Sequence, residues 1–227
     1  MQRMRELIAA VNQRHPTDLF FDGLDQTLLG SRQAHRMYNS YDRAFQCLDI
    51  TSWEELKNKA IRHFLDHRPG QLKQGFFNQA NDAFAYQLLR RQGCSEIRVL
   101  PEFGTKTPDI EYRKGETLAG CEVKTLGISE DLITRRDTMQ VFSSSIYYEL
   151  SPGYLNKFAK TITQAREQLL SCYPTGLVFL VVHFDDFTMA HYSTYRRQLK
   201  DAIAQQVETS IYVKIGLFGN RRIEHHA

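Results

Sequence analysis

Residues 107–126 read Thr107-Pro108-Asp109-Ile110-Glu111-Tyr112-Arg113-Lys114-Gly115-Glu116-Thr117-Leu118-Ala119-Gly120-Cys121-Glu122-Val123-Lys124-Thr125-Leu126, and this stretch decides the reading of the chain. Two runs carrying aliphatic, aromatic and β-branched residues flank a Lys114-Gly115 turn, which predicts strands over 108–113 and 118–126. Strand side chains alternate between faces, so Glu122 and Lys124 share one face while Cys121, Val123 and Thr125 take the other. With Lys114 to Thr117 as the hairpin loop, Arg113 pairs with Leu118. The same register carried back along the ladder sets Asp109 opposite Glu122, with Cβ atoms about 4.5–5.5 Å apart. Two carboxylates at that spacing repel unless positive charge lies between them.

Outward from the hairpin, the periodicity is that of an α/β chain. A third strand is predicted just ahead of it, over 96–103. Before that, Phe77, Ala80, Phe84 and Leu88 form one stripe of a helix running from Phe76 to a terminating Gly93. Residues 1–75 read as mainly helical: Met4, Leu7, Ile8 and Val11 recur at helical spacing, as do Trp53, Leu56, Ala60, Ile61 and Phe64. Ser52 with Glu55 three residues later is a capping box, and His67-Arg68-Pro69-Gly70 closes that helix. Beyond the hairpin, Leu155, Phe158, Ile162, Ala165 and Leu169 mark a long amphipathic helix that packs on the sheet. The apolar run 177–184 predicts a strand covered on both faces, followed by a helix over 194–207 and a strand over 211–217. The expected organisation is an N-terminal helical region (1–75), a core with a central mixed sheet flanked by helices (76–219) and a tail (220–227).

The chain has 227 residues, enough for a core of about 150 residues plus an extension. Hydrophobic residues at 42% and charged residues at 24% are the balance of a globular protein and argue against disorder. No apolar stretch approaches the roughly 18 residues that cross a bilayer, and the segment 7–11 is too short for a secretory signal, so a cytoplasmic protein without a membrane partner is expected. Cys47, Cys94, Cys121 and Cys172 lack zinc-ligand spacing and are read as reduced and mostly buried. A net charge of +3 is mild, so the distribution of charge matters more. The arginine pairs at 90–91, 135–136, 196–197 and 221–222 are either phosphate contacts or solvated surface. No phosphate loop, G-x-S-x-G elbow or H-E-x-x-H helix is present. His183 with Asp185 and Asp186 reads as a strand-end polar cluster rather than a ligand set.

Magnesium prefers oxygen donors, commonly takes one or two carboxylates and keeps water and phosphate in its remaining positions. Asp109, Glu122 and Lys124 suit that demand. Phosphodiester hydrolysis needs an activated water, neutralised phosphate oxygens and a stabilised leaving oxygen, which a cation with an ammonium can supply. An acid-x-lysine tripeptide alone is weak: Glu55-Leu56-Lys57 has it too, on a helix where positions two apart do not meet.

Pro108-Asp109 followed by Glu122-Val123-Lys124 resembles the PD-(D/E)xK superfamily of restriction-endonuclease-like nucleases. The resemblance implies that Asp109, Glu122 and the Val123 carbonyl bind Mg2+, with Mn2+ able to substitute, and that Lys124 positions or deprotonates the attacking water. Members also carry a helix acid with alanine three and glycine eleven residues later, a pattern met by Asp82, Ala85 and Gly93. Aspartate stands where glutamate is usual, and an ordinary first-turn aspartate is the competing explanation. Asn81 is a rival, since it falls on the apolar stripe and needs a polar partner. Along one edge of the later helix, Lys157, Lys160, Gln164 and Gln168 either face the scissile phosphate or form a solvated edge, with Lys160 and Gln164 preferred. Lys157, Lys160, Arg135 and Arg136 are the expected nucleic-acid contacts. By resemblance the substrate is DNA rather than RNA, and the helical region adds substrate contacts or a homodimer surface. Two alternatives stand beside the nuclease: an inactive nuclease-fold protein that binds nucleic acid or serves assembly, and a helical interaction protein supported by the core.

Overall fold

Apolar spacing builds the helical region as the sequence predicts: Met4, Leu7, Ile8 and Val11 are the buried residues of α1 (Gln2–Arg14). The computed structural model describes residues 1–67, 73–102, 107–127, 138, 148–183, 191–205, 209–216 and 221–226. Helices α2 (Leu24–Gly30) and α3 (Arg32–Phe45) follow, the second capped by the Ser31 side chain. α4 (Ile50–Arg62) starts earlier than the Ser52 capping box predicts. Its cap is Asp49, whose carboxylate accepts from the Ser52 N–H at 2.8 Å and from the Ser52 hydroxyl at 3.0 Å. A carboxylate also meets the positive end of the helix dipole, which favours it over a hydroxyl. The Ser52 oxygen instead accepts from the Val99 N–H at 3.2 Å.

The single helix expected over 76–93 is two helices, α5 (Gln74–Ala80) and α6 (Asp82–Arg91), which meet at Asn81. A buried polar contact fixes the junction: the Asn81 side-chain carbonyl accepts from the Tyr41 hydroxyl at 2.9 Å. Gly93 ends α6 in the left-handed conformation at φ 76°, as expected. β1 (Ser95–Val99) and β2 (Ile110–Lys114) then pair antiparallel, with an irregularity between Ser95 and Arg98. β1 is shorter than predicted. Leu100 still donates to the Asp109 carbonyl at 2.8 Å, but Pro101 has no N–H to continue the ladder.

β3 (Thr117–Leu126) begins after a two-residue turn at Gly115-Glu116. The chain is thus mixed α/β, with strand pairings of both senses, flanking helices and a helical region ahead of them. It divides into two compact units, Met1–Ala119 and Gly120–Ala227. In the first, Phe21 stacks on Phe64 at 5.9 Å and meets Phe76 edge-on, and the Lys73 ammonium lies 3.8 Å over the Phe64 ring while pairing with Asp18.

In the second unit, β3 runs parallel to β4 (Gly176–Val182) and β4 parallel to β5 (Ser210–Ile215). Parallel neighbours require crossovers, and the connections carry α7 (Pro152–Leu170) and α8 (Tyr192–Ala204). Phe158, Ile162, Ala165 and Leu169 form the buried stripe of α7, in one apolar cluster with Val178, Leu180 and Val182. At the close approach of β3 and β4, a Cβ on Gly176 would lie 2.1 Å from the Gly120 carbonyl oxygen, so only glycine fits. The segment read as a tail contains β6 (Arg222–His225), antiparallel to β5, because Ile223 inserts into the apolar cluster. Only Cys121 of the four cysteines is buried; Cys47 and Cys94 are half-buried and Cys172 is exposed, a correction to the expectation of mostly buried thiols. Among the described residues, no helix is long and apolar enough to cross a membrane.

Candidate functional site

Each unit carries part of the expected constellation. In the first, Asp82 occupies the opening turn of α6 and is buried at 2% exposure. The helix dipole favours an acid there, but the dominant partner is a cation. The Lys59 ammonium, from α4, donates to Asp82 Oδ2 at 2.9 Å and reaches Asp109 Oδ1 at 3.4 Å. Lys59 is itself 1% exposed, whereas the Asp109 side chain keeps 23% of its surface. Burial acts to strip the Lys59 proton, yet the charges of Asp82, Asp109 and Glu102 outweigh it and hold the ammonium above the ordinary lysine value. Asp82 and Asp109 are therefore gathered around one permanent positive charge.

Lys59 escaped the sequence reading. Its signal was present, since it stands three residues after Leu56 and directly before Ala60, on the apolar face of α4 where a charge demands a partner. Asn81, the rival to Asp82, is bound by Tyr41.

Nearby in the same unit, His63 bridges two carboxylates, with Nδ1 2.6 Å from Asp66 and Nε2 2.8 Å from Glu102, which Arg62 also pairs at 3.1 Å. Glu102 and Arg62 line a cavity of about 520 Å³ together with Arg14, Glu55, Asn58 and Pro101.

In the second unit, β3 carries Glu122 and Lys124 two positions apart, and Lys124 Nζ donates to Glu122 Oε1. Glu122 lies beside Val178 and Lys124 beside Leu180 in the parallel register, so both sit on the face whose apolar cluster includes the α7 stripe. Glu122 is buried, while the Lys124 side chain keeps 36% exposure. Val123 takes the alternate face, beside Phe179, leaving only its backbone as a donor toward an oxygen-seeking ion.

On α7, Lys157, Lys160 and Gln164 are exposed beside the buried stripe, and Gln168 is half-buried. Arg135 and Arg136, expected to contact nucleic acid, lie outside the described residues, as do Asp185 and Asp186. His183, at the end of β4, is pushed down to about 4 by burial and by Lys214, so it stays neutral. Among the described residues, no group of three or more His, Cys, Asp or Glu side chains is gathered to hold a metal ion. No family model, curated protein or solved structure matches this chain.

Proposed function

We propose that this chain hydrolyses phosphodiester bonds of nucleic acid, DNA by preference, with a magnesium ion that manganese replaces. The Glu122–Lys124 pair carries the reading: a buried carboxylate and a partly exposed ammonium share one face of β3. Burying an acid costs free energy unless it is paired, and a lysine two residues away on an exposed surface would have no need of it. Support from the first unit comes from Asp109, a carboxylate that retains solvent exposure on the residue just before β2.

The donor chemistry fits a hard cation. The resemblance would have Asp109, Glu122 and the Val123 carbonyl hold it, a set with the one or two carboxylates magnesium commonly takes. Bound there, the ion would lower the pKa of a water and neutralise charge on the phosphate. The protein's own groups do the rest. Lys124 donates to Glu122 before substrate arrives and would then turn its ammonium to the attacking water or a phosphate oxygen. Lys157, Lys160, Arg135 and Arg136 contribute positive charge for the phosphate backbone, and Gln164 a hydrogen bond. Asp82 serves the site by way of Lys59.

Incubating the purified protein with plasmid, linear and branched DNA in magnesium or manganese tests the reading. Cleavage is expected with either ion, and Asp109→Ala or Lys124→Ala should remove it. Cleavage that survives in both variants belongs to a contaminant and refutes the assignment. The burial of Glu122 and the engagement of Asp82 by Lys59 favour a second reading, a nuclease-like protein that binds nucleic acid or serves assembly without turnover. Metal-independent DNA binding without cleavage would select it.

A further inference from the structure

The geometry points to Lys59 as a positioning residue of the proposed site, anchored by Asp82 and holding the Asp109 carboxylate in the orientation that receives the cation. This inference rests on the cation reading of Asp109 given above. Its support lies within one unit. Lys59 rises from α4, Asp82 from the first turn of α6, and Asp109 from the residue before β2, so three separate elements converge on one ammonium. The two contacts differ in kind. The 2.9 Å bond to Asp82 joins side chains exposed by only 1% and 3%, whereas the 3.4 Å approach to Asp109 ends on a carboxylate that is 23% exposed. One carboxylate fixes the lysine, and the lysine steers the other.

A lysine present only to neutralise Asp82 has no need to face Asp109. Conversely, an aspartate at position 82 is too engaged with Lys59 to serve as a simple ligand. The shorter aspartate, in place of the glutamate of the resembled pattern, then acts through the lysine.

Binding of Mn2+ to the full chain, followed by electron paramagnetic resonance alongside thermal unfolding, tests the assignment. The variant Lys59→Met/Asp82→Asn removes the ammonium and its anchor together, leaves net charge unchanged and strands no buried charge. It is expected to fold and to bind Mn2+ about tenfold more weakly, since Asp109 loses a charge-assisted hydrogen bond. Wild-type affinity in that variant overturns the role of Lys59 while leaving the cation reading intact. A wild-type protein that binds no Mn2+, or an Asp109→Ala variant that binds as tightly as wild type, overturns the cation reading and the positioning role with it. Should the double variant not fold, Asp82→Asn alone carries the test. It loosens the anchor, so the ammonium holds Asp109 less firmly and affinity should fall about threefold. Unchanged affinity there overturns the anchoring.

Discussion

Lys59 shows how much one side chain decides in the first unit. A buried ion pair is seldom a large net source of stability, because two desolvated charges are repaid only by near-ideal geometry. Breaking one is different, since the surviving charge is left in a low-dielectric interior. Lys59→Met alone should therefore cost about 3–5 kcal/mol in urea unfolding, much of it recovered when Asp82→Asn is added. A loss below about 1 kcal/mol would mean that water reaches Asp82. At this scale the sequence was informative about acids and poor about their partner. Asp109, Glu122 and Lys124 stand out by their spacing within twenty residues, whereas Lys59 contacts Asp109 across a separation of 50 positions. Periodicity marks Lys59 as buried; only the folded chain says against what.

At the scale of elements, the strands were legible and the junctions less so. Runs of apolar, β-branched and aromatic residues located β2, β3, β4 and β5 to within a few residues, because burial writes itself into the sequence. The break at Asn81 depends on Tyr41, far back on α3, and no local pattern announces it. The loop-proximal His63 bridge adds a pH dependence. Burial opposes charge on both groups, but the hydrogen bonds and mutual attraction prevail, raising His63 above its ordinary 6.5 and lowering Glu102 below its ordinary 4.5. A raised folded-state value means that the His63 contribution is complete below 6.5 and disappears as pH climbs through that raised value. The Glu102 contribution is present above 4.5 and disappears as pH falls through its lowered value. The urea midpoint of wild type should therefore exceed that of His63→Gln most clearly between these limits and converge with it on the alkaline side. A constant difference across the range would show that the bridge does not depend on imidazole charge.

For the whole molecule, composition and periodicity gave an α/β chain with a helical region in front, but the way that region is tied in was hidden. Tyr41, Ser52 and Lys59, all before residue 75, bond to Asn81, Val99 and Asp82. A fragment beginning at Phe76 would strip these partners from buried polar groups, each worth about 1–3 kcal/mol or more when charged. It should lose cooperative unfolding by circular dichroism and become sensitive to protease; a sharp transition like that of the full chain would show that the helices are dispensable for folding. The C-terminal strand was missed for a similar reason: its four residues carry little alternation, and β5 supplies the ladder that makes them a strand.

The buried thiol of Cys121 stands one residue from Glu122 on β3, while Cys172 is exposed. The pair makes a built-in clock and its reference. Alkylation of exposed Cys172 sets the reference rate, whereas Cys121 reacts only in the moments when its strand detaches, so the ratio of the two rates reports the opening free energy of the segment bearing the acid and the lysine. A Cys121 that labels as fast as Cys172 would mean that β3 parts from its neighbours continually, and a slow one that any ion reaching Glu122 enters through a firmly shut strand rather than a breathing one.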